Sequence, residues 1–265
     1  MIDAVGGRPQ EVTVECNPEG LTLAGFKEAG VDRITLGIQS LDDGLLRFLG
    51  REHDADGARR AWREAIRVFD NVCVDLIFGV PGQTLEGWRR TLEEVRSWAP
   101  AHVSFYGLTY ETGTPFEKIR DRLPEEEEKG MYETAMEVLA GWHHYEISNW
   151  ALPGRESKHN RAYWEGRPYI GFGPGAHSYA APRRWWNVAN VREYLERDDV
   201  IAGSETLTPE QVRIERLLLG LRQDVGVEMA AIPKGLEAFL EKAGDRVRLT
   251  RAGRCVADSV ISRLI

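Results

Sequence analysis

Four polar residues stand out because each sits in, or just after, an apolar stretch. Glu15 closes the run 11–16 (EVTVEC), Gln39 closes the run 33–39 (RITLGIQ), Asp75 lies inside the run 71–78 (NVCVDLIF), and Arg51 follows Leu49-Gly50. A carboxylate inside a buried strand is costly unless it is paired or hydrogen-bonded. Together the four can hold a small zwitterion that also carries hydroxyls. Arg51 would take a carboxylate, Glu15 and Asp75 an ammonium or sugar hydroxyls, and Gln39 would act as a neutral bridge. The competing reading is structural, with Asp75 paired to a neighbour and Gln39 capping a helix. Recurrence at successive strand ends favours the ligand.

A second set lies between residues 143 and 186, where His143, His144, His159 and His177 are interleaved with Trp150, Trp164, Trp185, Trp186, Tyr145, Tyr163, Tyr169 and Tyr179. Imidazole binds iron and aromatic walls cover a macrocycle, so this density suits a flat apolar ligand with one axial contact, His159 being the candidate. A satellite core whose histidines only hydrogen-bond is the alternative. The glycines of Gly171-Phe172-Gly173-Pro174-Gly175 share the spacing of a dinucleotide loop, but Pro174 and the lack of a strand-then-helix context argue against one. Close backbone approach to a ligand or another loop is the better reading. The stretch 79–84 (GVPGQT) lacks the lysine of a phosphate loop and reads as turn chemistry.

These residues must be positioned by alternating elements. Strand-like runs at 11–16, 33–39, 71–78 and 102–108 are separated by helical segments at 21–29, 43–49, 54–68 and 84–98. Strand, helix, strand with little between them predicts parallel βαβ units, with strands apolar on both faces. Thr84 before Glu86 marks a capped helix start, and Gly30 a helix end. The run DRLPEEEEK at 121–129 opens a helix extending to about residue 140, its carboxylates placed where the helix dipole favours them. The expected domains are a barrel-like part over 1–120, an extension over 121–204, and a small helical, winged-helix-like module over 205–265.

The charge balance, 34 Lys and Arg against 42 Asp and Glu, argues against a general phosphate-backbone binder. Arg246, Arg248, Arg251 and Arg254 are basic locally, yet residues 205–265 hold ten basic and nine acidic side chains, too balanced for a duplex binder. No nucleic-acid partner is expected. No apolar run reaches the ~20 residues of a membrane span. The start lacks a signal-peptide pattern, so a cytoplasmic protein is the expectation. Cys16, Cys73 and Cys255 are too few and too far apart for a disulfide framework or a CxxC knuckle, and Cys73 is expected to be a small buried residue.

Several segments match one family in order: Glu15-Cys16-Asn17-Pro18, Leu36-Gly37-Ile38-Gln39-Ser40, Leu49-Gly50-Arg51, residues 74–84 (VDLIFGVPGQT), Tyr145-Glu146-Ile147-Ser148-Asn149, His159-Asn160-Arg161-Ala162-Tyr163-Trp164, and residues 171–178 (GFGPGAHS). The chain resembles, from about residue 11 to its end, the radical S-adenosylmethionine proteins related to oxygen-independent coproporphyrinogen III oxidase. The resemblance implies a partial (β/α)6 barrel that binds S-adenosylmethionine beside a [4Fe–4S] cluster, followed by a small, mainly helical C-terminal domain. By position it assigns Glu15, Gln39, Arg51 and Asp75 to S-adenosylmethionine, with Gly107 and His177 also lining the cofactor. The HNxxYW segment favours the haem-chaperone branch, in which His159 is the haem contact and haem passes to acceptor proteins; decarboxylation of coproporphyrinogen III is the alternative activity.

The chain departs from that pattern at its start. The family's Cys-x3-Cys-x2-Cys motif and the glycine-rich strand end after it are absent, and the three cysteines present have the wrong spacing to replace it. The expectations are a chain that lacks its first βα units, roughly 60 residues at ~30 per unit, and that neither assembles the cluster nor cleaves S-adenosylmethionine reductively. The strand at 11–16 would then lie at an unprotected sheet edge, which favours self-association.

Overall fold

The computed structural model describes residues 9–265, which divide into two compact units, one up to Glu156 and one from Ser157 to Ile265. The first unit runs β1 (Thr13–Cys16), α1 (Leu23–Glu28), β2 (Arg33–Gln39), α2 (Asp43–Phe48), α3 (Ala55–Val68), β3 (Val72–Phe78), α4 (Leu85–Ser97), β4 (His102–Gly107), α5 (Glu125–Val138), β5 (His143–Glu146) and β6 (Asn149–Ala151). Its six-stranded sheet has the order β1-β2-β3-β4-β6-β5, parallel through β4 and closed by an antiparallel hairpin. From β1 to β4, neighbours in chain order are neighbours in the sheet, the progression of a βα barrel rather than of a doubly wound sheet.

Local chemistry sets the helix starts. Asp42, Asp54 and Thr84 accept hydrogen bonds from first-turn backbone N–H groups of α2, α3 and α4, satisfying donors that a helix start leaves open. Glu125–Glu128 fill the first turn of α5. Gly30, at φ 91°, follows the end of α1. The turn after β3 closes on itself, Gln83 Oε1 accepting from Val80 N while its Nε2 donates to Ile77 O. That is turn chemistry, with no cradle for a phosphate.

The strands are apolar on one face only, which corrects the expectation of two. Side chains alternate along a strand, so Ile34, Leu36, Val72, Val74, Leu76, Phe78, Val103 and Phe105 share one face and Arg33, Thr35, Cys73, Asp75, His102 and Ser104 the other. Phe78, Phe105 and Trp150 form an aromatic cluster with Trp88 of α4 and Tyr132 of α5. The Trp88 indole N–H donates to Met131 O at 2.8 Å, tying α4 to α5 above the sheet. On the opposite face, Arg33 is buried between Glu11 and the Arg155 carbonyl, and His102 Nε2 meets the Tyr145 hydroxyl at 2.7 Å. A polar face beneath a helix-covered sheet is what a barrel interior built for a polar ligand requires. Helix covering therefore explains only half of each strand's composition.

The second unit contains α6 (Lys158–Trp164), β7 (His177–Ala180), β8 (Arg183–Asn187), α7 (Val191–Glu196), β9 (Ile201–Thr206), α8 (Pro209–Leu221), β10 (Val227–Glu228), β11 (Leu240–Ala243), β12 (Arg246–Leu249), α9 (Arg251–Cys255) and α10 (Ala257–Ser262). Two antiparallel sheets, β7-β8-β9 and β10-β12-β11, accompany its helices. Gln223 fastens α6 to the end of α8 by donating to Trp164 O at 3.0 Å, and Arg222 lies over the Trp164 ring at 5.3 Å.

Candidate functional site

The parallel strands end in loops that bring Gln39 and Arg51 to one corner. Gln39 has φ 63°, and Ser40 N donates to Ile38 O at 2.7 Å. This is the rare, strained form of the three-residue turn. It aims the Gln39 carboxamide back over Gly37: a Cβ at residue 37 would lie 2.8 Å from Gln39 Nε2 and 3.4 Å from Asn17 Oδ1. Glycine at 37 leaves room for the amide to lie there. Asn17 Oδ1 also accepts from Arg51 Nη1 at 3.2 Å, so Asn17 joins the Gln39 and Arg51 sides of the corner. The Arg51 Nε is buried and has no hydrogen-bond partner among the described residues. A cleft of about 440 Å³ bordered by Pro18, Glu19, Arg47, Arg51, His53 and Arg60 opens beside it. The capping role for Gln39 does not hold, because Asp42 caps α2.

Asp75 lies in the middle of the polar face. Its carboxylate is hydrogen-bonded to Ser104, and its Oδ1 has no hydrogen-bond partner among the described residues. Burial, helped by the charge of Glu15, pushes the Asp75 carboxyl up to about 7 against the opposing effects of Ser104 and Arg33. Glu15 is exposed at the end of β1, beside Thr35 on the same face. Gly107 ends β4 opposite Phe78, and a Cβ there would meet the Phe78 ring at 3.6 Å on the helix-covered side. Only the Gly107 backbone is therefore available to a ligand on the polar side. Glu15, Gln39, Arg51, Asp75 and Gly107 thus all occupy the first unit, with Glu15, Gln39 and Gly107 at strand ends, Arg51 between α2 and α3, and Asp75 in mid-strand.

Three residues to which sequence reasoning gave no role shape this region. His53 is buried, its Nε2 donating to Ile38 O at 3.0 Å while Nδ1 is hydrogen-bonded to the Glu19 carboxylate at 2.7 Å. Asn149 pairs with Ser104 across β4 and β6, and its Nδ2 donates to Glu146 Oε1. Glu146 Oε1 also accepts from Ser148 N at 3.0 Å. The signals were present: His53 stands two residues after Arg51, and Glu146 and Asn149 lie within the matched segment 145–149.

The histidines of the aromatic segment separate. His143 is engaged by Glu156, and His144 stacks on Trp150 with centroids 3.6 Å apart, so both serve the first unit's packing. His159 and His177 belong to the second unit and are exposed. His159 lies in the first turn of α6, edge-on to Tyr163 at 4.7 Å, and Tyr163 continues to Tyr169 at 4.4 Å. His177 opens β7 and stacks on Trp186 at 5.8 Å. The Trp186 indole lies flat against Gly203, where a Cβ would fall 2.6 Å from it.

The three thiols do not fit an iron–sulfur cluster. Cys16 Sγ donates to Thr35 O at 3.6 Å from the apolar side of β1, Cys73 is fully buried on the polar side of β3, and Cys255 belongs to the other unit. Burial pushes the Cys16 thiol up to about 11 and Cys73 up to about 12, whereas thiolate is the form that binds metal.

Residues 3–95 match the Radical SAM superfamily. The chain belongs to the haem chaperone HemW family of that superfamily. The HemW haem chaperone of Bacillus subtilis (strain 168) is 39% identical over 253 residues, covering 88% of this chain and 64% of that protein. The HemW of Mycobacterium tuberculosis (strain ATCC 25618 / H37Rv) is 34% identical over 279 residues, covering 96% of this chain and 72% of that protein. The solved coproporphyrinogen III oxidase HemN from Escherichia coli superposes with a TM-score of 0.78 over 95% of this chain and 69% of that one, at 17% identity. That likeness establishes the fold, an α/β unit with a mainly parallel sheet followed by a C-terminal region. The chain spans about two thirds of the length of these relatives.

Proposed function

We propose that this chain is a haem-chaperone polypeptide, holding haem at His159 and releasing it to acceptor proteins, with an S-adenosylmethionine site at the rim of the first unit. The observation that carries the reading is the exposed His159, set in an intact HNxxYW segment of a chain 39% identical to a HemW haem chaperone. Neutral imidazole is an iron ligand, and Tyr163 and Tyr169 extend an aromatic surface beside it.

For S-adenosylmethionine the residues fit. The unpartnered Arg51 Nε and Asp75 Oδ1 are buried polar atoms awaiting a ligand of complementary chemistry. Arg51 would take the methionine carboxylate, Glu15 and Asp75 the ammonium or ribose hydroxyls, and Gln39 would bridge, with the Gly107 backbone alongside. In radical enzymes the cofactor supplies a carbon radical beside a [4Fe–4S] cluster; the thiols of this chain do not hold that cluster, and no role here depends on it. Among the described residues no helix is long and apolar enough to cross a membrane, in keeping with a cytoplasmic site of action. β1 forms an edge of the described six-stranded sheet, and an unpaired edge supports association between copies.

The reading is tested by transfer. The chain loaded with ferric haem and mixed with an apo-haem protein is expected to pass haem on, seen as the acceptor's own absorption spectrum. Retention of haem, together with anaerobic conversion of coproporphyrinogen III, would replace this reading with the oxidase one.

A further inference from the structure

We infer that His53 is a positioning residue that holds Gln39 and Arg51 in register for the S-adenosylmethionine site; the inference rests on the site reading above. The side chain of His53 is 2% exposed, and it joins the loops that build the corner. Its Nε2 donates to Ile38 O, the same carbonyl that accepts from Ser40 N to close the turn at Gln39. A left-handed, non-glycine residue persists only when its surroundings over-determine it. A second donor on that carbonyl from a buried ring is such a determinant. On its other side, Nδ1 is bonded to Glu19, two residues past the Asn17 that accepts from Arg51. His53 is itself two residues past Arg51. The ring therefore links the β1 loop, the β2 turn and the segment carrying Arg51, leaving the Gln39 amide and Arg51 Nε to meet a ligand. His53 touches no ligand in this account and acts only through the residues it holds.

The two bonds can be separated chemically, because a glutamine amide nitrogen overlays imidazole Nε2 and an asparagine amide nitrogen overlays Nδ1. Calorimetric titration of the chain with S-adenosylmethionine is the measurement, with thermal melting to confirm folding. His53→Gln keeps the bond to Ile38 O and is expected to bind within about threefold of the parent. His53→Asn abandons that bond and is expected to bind roughly tenfold more weakly, the effect of losing one buried hydrogen bond. With Gln39→Ala in the background, His53→Asn should cost much less, because the side chain it positions is gone; a general packing defect would not show this coupling. Equal affinities for the two His53 variants, or full additivity with Gln39→Ala, would overturn the inference while leaving the site reading intact, provided that Gln39→Ala and Arg51→Ala each weaken binding. A parent chain that does not bind S-adenosylmethionine would overturn both.

Discussion

Asp75 makes the most direct residue-scale statement, because its carboxyl is held in a state its sequence neighbours do not dictate. Unfolded, an aspartate titrates near 3.8; here it is pushed up to about 7. Between those values the folded state binds a proton that the unfolded state has released, so stability falls as pH rises through that window. Above it, the buried charge costs about 4 kcal/mol. Asp75→Asn is therefore expected to melt at a higher temperature than the parent at pH 8 and at the same temperature at pH 4, measured by calorimetry. An equal shift at both pH values would contradict the burial account. The same substitution should weaken S-adenosylmethionine binding, since a site that stabilises its ligand at the expense of the free fold loses the one when it regains the other. At Gly37, any side chain would displace the Gln39 amide 2.8 Å away. Gly37→Ala is thus expected to lower that affinity by roughly tenfold with little change in melting temperature. A normal titration in the Ala variant would show that the amide is not needed where it lies.

At the scale of elements, the apolar face depends on Trp88, which is 1% exposed and links α4, α5 and the sheet through Phe78, Phe105 and the Met131 carbonyl. Trp88→Ala should remove about 3–5 kcal/mol from the unfolding free energy in urea. Trp88→Phe, which keeps the ring contacts and strands the carbonyl, should lose about 1–3 kcal/mol. Comparable losses in the two variants would place the contribution in the hydrogen bond rather than in packing. These elements were largely legible in the sequence. The run 33–39 coincides with β2, Thr84 does cap α4, and Cys73 is a buried small residue, because each carries a strong local signal of composition, capping or burial. The hairpin of β5 and β6 and the sheet β7-β8-β9 were not legible: aromatic and glycine density conceals a two-residue period, and pairing is decided by neighbours distant in sequence. The polar side of the strands was half visible. Asp75 stood out among apolar neighbours, whereas Arg33 and His102 at strand starts gave no sign that they were buried. His53 was missed because, although it stands two residues after Arg51, its partners, the Ile38 carbonyl and the Glu19 carboxylate, are distant in sequence.

The whole molecule combines two chemistries in separate units: a polar sheet face with Asp75 at its middle and Glu15, Gln39 and Arg51 at its rim, and a second unit that exposes His159 beside tyrosines. Family membership and the corner at Asn17 support the first as a nucleoside–amino-acid site, and the HNxxYW helix supports the second as the place where haem is held. The central claim is that iron meets the protein at α6. Titration of the chain with ferric haem, followed by absorption spectroscopy, tests it most directly by comparing the parent with His159→Ala. The account predicts saturable binding with a shifted Soret band in the parent, and a changed band with at least tenfold weaker binding in the variant. An identical spectrum and affinity in a folded His159→Ala chain would contradict it.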